Sequence, residues 1–182
     1  MLPLGILRAR FFRDVTNAEE VLEKAGPNIV VVDLCNVVSE FHVLNATTKA
    51  LLAWTGESGF RARTPSFRAE VLYNLSATGK ITETTAQFCA KGSSTSVAVV
   101  GVVTDDSKIT VEGCRNAAQY EALVAAVQGT EFDPALLLSD EEFTTQEKKL
   151  TLIKLYKITQ QELDISSLED CVITRLAVKE IC

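Results

Sequence analysis

Two uninterrupted apolar runs constrain this chain more than any other feature: IVVV at Ile29–Val32 and VAVVGVV at Val97–Val103. β-Branched side chains favour an extended backbone. Successive residues of a strand point to opposite faces, so a strand that is apolar throughout must be covered on both sides. Each run has the length of a strand and falls far short of the roughly 20 residues a membrane-crossing helix needs. The chain must therefore build a sheet with buried central strands and supply helices to cover them.

Helix signals surround these runs. Thr16-Asn17-Ala18-Glu19 reads as a capping box, and Ala18, Val21, Leu22 and Ala25 recur at helical spacing until Gly26-Pro27. Val37, Phe41, Leu44, Thr48, Leu51 and Thr55 trace one face of a long helix from Asn36 to Gly56. Thr82 is placed to cap a short helix over Glu83–Lys91, and Asn116–Gln128 reads as a helix closed by Gly129. Short helices are predicted to start at Asp133-Pro134 and Ser139–Glu142, and another at Thr144-Thr145 that carries Leu150, Ile153 and Tyr156. Ser166-Ser167 opens a last helix in which Leu168, Cys171, Val172, Ile173, Leu176, Ala177, Val178 and Ile181 cover nearly the whole circumference. Such a helix has to be buried on more than one side, in part by another protein.

Strand signals are fewer. One strand is expected near Gly5–Phe12, and TDDSK after the second apolar run reads as a turn. In RARTPSFRAEVLYNLSATGKI, from Arg61 to Ile81, Val71, Tyr73 and Leu75 alternate with Glu70, Leu72, Asn74 and Ser76, which predicts a half-buried strand ending at Thr78-Gly79. The 182 residues suffice for one full core. The expected fold is α/β (α+β): a single domain over residues 1–182, with a mixed β-sheet packed with helices.

Charge and chemistry narrow the function. The net charge of -6 argues against a protein that grips nucleic acid by overall charge. Residues 1–91 carry 10 Lys+Arg against 9 Asp+Glu, while residues 92–182 carry 8 against 15, so an anionic partner should meet the first half, near Arg61, Arg63, Arg68, Lys80 and Lys91. The opening residues have too short an apolar stretch before Arg8 for a secretory signal, and the five cysteines lack paired spacing. A soluble intracellular protein with reduced thiols is expected. No catalytic or phosphate-binding motif occurs, and neither a metal nor another cofactor is expected. Two other classes remain: a cysteine-dependent enzyme using Cys89 or Cys114 with His42, and a small anion-binding or ligand-binding domain. The arginines of the Arg61–Ile81 stretch read either as a solvated loop or as a clamp for phosphate or carboxylate.

The segments FFRDVTNAEEVLEKA, VVVD before a long helix, RARTPSFRAEVLYNLSATGKI and KLYKI before a terminal helix occur in an order that resembles the PRPK-binding protein family. Members of that family are the kinase-binding subunit of the KEOPS (EKC) complex. The resemblance implies a non-catalytic subunit that docks on a small atypical kinase/ATPase and stimulates it. Through that kinase it would serve the threonylcarbamoyl transferase subunit and the modification of tRNA, with binding of the tRNA 3′ CCA end. A cytoplasmic and nuclear location follows, with no membrane association. Combined with the charge pattern, the resemblance makes Arg61, Arg63, Arg68, Asn74 and Ser76 the expected tRNA contacts. Leu155, Tyr156, Leu168, Val172, Ile173 and Leu176 are the expected kinase contacts.

Overall fold

The computed structural model describes residues 7–55, 61–103 and 117–179. The first strand, β1 (Leu7–Arg13), leads through α1 (Ala18–Lys24) to β2 (Ile29–Asp33), and a 3-10 turn at Leu34–Asn36 then precedes α2 (Glu40–Thr55). Helices α3 (Phe67–Leu75) and α4 (Ile81–Phe88) follow, then β3 (Val97–Val102), α5 (Ala117–Ala126) and the two-residue β4 (Thr130–Glu131). The chain continues through α6 (Leu136–Ser139), α7 (Gln146–Tyr156), α8 (Gln160–Leu163) and α9 (Leu168–Val178). The start of the first predicted strand, the TDDSK turn, Gly56, Asn116, Cys114, Ile181 and Cys182 lie outside the described residues.

The strands form one sheet in the order β2-β3-β1-β4. Among the described residues every pairing is antiparallel, so the helices pack on an antiparallel sheet instead of a mixed one. The two apolar runs lie side by side, with Val31 opposite Val99 and Val30 opposite Val100. Their alternation divides the core in two. Phe11, Val30, Val32, Ala98 and Val100 face one hydrophobic cluster with residues of α2, α3, α7 and α9, while Phe12, Ile29, Val31, Val97 and Val99 face a second with α1 and α5. Both faces of the sheet are thus covered, as the apolar runs require.

At Gly101 the second face depends on the absence of a side chain. A Cβ there would lie 2.7 Å from Cδ2 of Tyr120, whose ring rests on the strand and whose hydroxyl donates to the Val99 carbonyl at 3.1 Å. The outer edge of β2 is covered by the chain leaving α4, where the Ala90 N–H donates to the Val31 carbonyl. That pairing blunts an edge otherwise open to another strand.

Several local expectations are corrected. The predicted strand over Val71–Ser76 is helix α3. Ser66 caps it by accepting from the Ala69 N–H at 3.2 Å, and Val71 through Leu75 are all buried. A short element buried on every side shows no period-2 or period-3.6 contrast, so alternation misleads there. The capping box at Thr16–Glu19 is not formed. Asn17 turns away to accept from the Gln128 N–H at 2.8 Å and to donate to the Ala126 carbonyl, tying α1 to the end of α5. The long helix starts four residues later than expected, because Asp33 first caps the 3-10 turn and Ser39 then accepts from the His42 N–H.

Thr82 does not cap α4, which starts from Lys80. Residues 140–143 form turns where a helix was expected, and α8, with a full Thr159/Glu162 capping box, was not anticipated.

Candidate functional site

The arginine segment is built around a buried carboxylate. Oε2 of Glu70, on the first turn of α3, accepts from the N–H groups of Arg63 and Thr64 at 2.9 Å each and from the Thr64 hydroxyl at 2.8 Å. Glu70 is only 3% exposed, so these bonds fix the chain entering α3 and set the direction in which Arg61 and Arg63 leave it. Arg61 and Arg63 are exposed, and Arg68 is half-buried with its guanidinium 3.6 Å from Sγ of Cys89. Asn74 and Ser76 lie inward at the end of the same helix, 4% and 1% exposed. Among the described residues the Asn74 amide nitrogen has no hydrogen-bond partner, while the Ser76 hydroxyl accepts from the Thr78 N–H.

One cation of this surface is invisible in the segment itself. Lys179, just past α9, donates to the carbonyls of Tyr73 and Ser76 at 2.5 and 2.9 Å and sits 3.3 Å from the centroid of the Tyr73 ring. The Arg63 guanidinium donates to the hydroxyl of the same tyrosine at 3.2 Å. A cation over an aromatic face is stabilised by the ring quadrupole, and Lys179 also neutralises the negative end of the α3 dipole. The two residues are separated by more than 100 positions, so no local pattern in the sequence signals the pairing.

The second candidate surface lies on α7 and α9. Tyr156, Val172 and Leu176 are 1%, 0% and 1% exposed, whereas Leu155, Leu168 and Ile173 are half-buried. Along α9, Ala177 and Val178 are exposed, so the all-round apolar helix buries Cys171, Val172 and Leu176 in its own chain and leaves its other apolar side chains partly or wholly in solvent. Arg175 bridges α9 to Glu162 of α8 at 2.7 and 2.9 Å and donates to the Lys157 carbonyl at 3.2 Å. Those bonds fix the KLYKI segment against the last helix.

A buried polar group joins the two regions. The Tyr156 hydroxyl and Nε2 of His42 both donate to the Leu75 carbonyl, at 2.8 and 2.9 Å, where α3 ends. His42 is fully buried, and burial pushes its imidazole down to about 4 despite the opposing bond to Leu75. With Nε2 committed and Nδ1 facing the Val38 N–H, His42 is a neutral packing residue with no free nitrogen for a thiol. The Cys35 thiol, at the surface, is pushed up to about 11 by partial desolvation and by Asp33, and burial raises Cys171, so neither of these two thiols is activated as a nucleophile. Among the described residues no cluster of His, Cys, Asp and Glu is arranged to hold a metal ion, and no helix is long and apolar enough to cross a membrane.

Comparison with known proteins agrees with the order of motifs. The family model for kinase binding protein CGI-121 matches residues 12–180. The EKC/KEOPS complex subunit TPRKB of Danio rerio is 31% identical over 174 residues, covering 93% of this chain and 89% of that protein. A match running from the end of β1 past the end of α9 includes both candidate surfaces, and on that ground the chain belongs to the kinase binding protein CGI-121 family.

Proposed function

We propose that this chain is the non-catalytic, kinase-binding subunit of an EKC/KEOPS complex. The observation that carries the reading is its likeness, across nearly its full length, to a protein named as a subunit of that complex. The half-buried Leu168 and Ile173 of α9 with Leu155 of α7 support it, since their exposed parts offer a partner apolar contact without opening the core. Tyr156, Val172 and Leu176 hold that face from behind. His42, with both ring nitrogens committed inside the core, favours a regulatory role over cysteine-histidine catalysis.

In this reading the partner is the small atypical kinase/ATPase of the complex, through which the chain acts with the transferase subunit in threonylcarbamoyladenosine modification of tRNA. Arg61, Arg63 and Arg68 contact the phosphates of the tRNA 3′ CCA end, and Asn74 and Ser76 shape the surface beneath them. Cytoplasm and nucleus are the compartments in which such a subunit works.

Co-purification with the kinase of the same organism, followed by tRNA-dependent ATP hydrolysis with and without this chain, tests the proposal. A stable complex whose stimulated hydrolysis drops when the CCA end is removed is the expected result. Absence of any complex rejects the kinase-binding role, and stimulation indifferent to the CCA end rejects the tRNA role of the arginine segment.

A further inference from the structure

A cavity of about 290 Å³ opens between α6, α7, the start of α9 and the residues leading into α2. Its apolar wall is Val38, Leu137, Leu138, Phe143, Leu152 and Leu168. Val38, Leu137, Phe143 and Leu152 are each less than a tenth exposed, whereas Leu138 at the rim is 51% exposed. An apolar cavity with a large aliphatic side chain in solvent at its mouth is one that this chain does not itself fill.

The polar part of the lining contains a charge that also lacks a partner. Lys148 is half-buried, and among the described residues its ammonium makes no hydrogen bond or ion pair; it lies 5.6 Å from the centroid of the Phe143 ring. Charged and titratable groups near it are Asp33 and Cys35 on the side of the 3-10 turn and Lys149 and Glu169 around the cavity. The Asp33 oxygens are already used, one by the Cys35 N–H at 2.8 Å and the other by the Ser94 hydroxyl. Burial holds the Lys148 ammonium below the usual lysine range, with Cys35 and Asp33 opposing that shift. A partly desolvated cation gains most from a carboxylate brought alongside it.

Leu168, on the core-packed side of α9, lines the cavity and is one of the half-buried residues assigned above to the kinase contact, so the cavity adjoins the proposed kinase-docking face. Resting on that reading, we propose that the cavity is the anchor site of the docking surface. It accepts an aliphatic side chain of the kinase, while an adjacent carboxylate of the kinase pairs with Lys148. The volume is at the lower end of small-molecule pockets, which run from about 300 Å³ upward, and suits an inserted side chain at the centre of an interface.

The test measures the kinase dissociation constant, at low and high salt, for the wild-type chain and for Lys148→Met, Leu138→Glu and Ile173→Glu. Thermal melting of each variant confirms its fold. Lys148→Met keeps the aliphatic stem and removes the charge. It is expected to weaken binding by about tenfold or more and to flatten the salt dependence. Leu138→Glu places a carboxylate at the mouth and is expected to weaken binding further.

If Ile173→Glu disrupts the complex while Lys148→Met and Leu138→Glu bind like the wild type with its salt dependence, the anchor site is rejected and the docking face stands. If all three folded variants bind like the wild type, the docking face falls and the anchor site with it.

Discussion

His42 shows how one side chain is defined by its surroundings. Beside Phe41 in a helix it offers little to distinguish packing from chemistry, yet its Nε2 bond to the Leu75 carbonyl and complete burial settle its neutral state. The folded value, near 4, lies below the ordinary 6.5, so the unfolded chain takes up the proton first as pH falls. The resulting stability is fully present above pH 6.5 and is lost as pH drops from there towards 4, by roughly 3 kcal/mol across the window. Denaturant titrations should show the stability difference between wild type and His42→Gln shrinking over that interval. A difference constant with pH would mean that the imidazole is protonated equally in both states. Glu70 is a comparable case: in sequence it is one more carboxylate beside arginines, and in the fold it is the acceptor that organises them.

At the scale of elements, the strands were legible because their apolar runs leave only one solution, and β2 and β3 fall within a residue of the predicted bounds. Helix α3 was illegible for the converse reason, since burial on all sides erased its period. Packing between β3 and α5 gives a sharp prediction. Gly101→Ala should destabilise the protein by about 1–3 kcal/mol through the Tyr120 ring, while Gly79→Ala, whose Cβ meets nothing closer than the Tyr73 hydroxyl at 4.0 Å, should be near neutral. Equal melting temperatures for the two variants would show that Tyr120 moves aside at no cost.

Helix α9 gives another prediction. Leu176 is 1% exposed on the side packed into the chain, so Leu176→Glu buries an unpaired carboxylate and should abolish folding, as read by circular dichroism. Ile173→Glu, on the half-buried side, should keep the fold. A folded Leu176→Glu protein would place that residue at the surface in solution.

For the whole molecule, the sequence by itself determined the class of fold and the family. A sheet with buried central strands follows from residues that cannot be left in water on either face, and the family follows from an ordered set of local motifs. Both are properties of neighbouring positions, which a linear reading can see. Tertiary structure alone decided that all the described strands pair antiparallel, which side of α9 is spent on the core, and that Lys179 over the Tyr73 ring and Arg63 at its hydroxyl meet on one side chain. The cavity beside Lys148 likewise draws on residues from Val38 to Glu169. These features depend on contacts between distant positions, whose energies come from burial and geometry in three dimensions and leave no periodic or local trace along the chain.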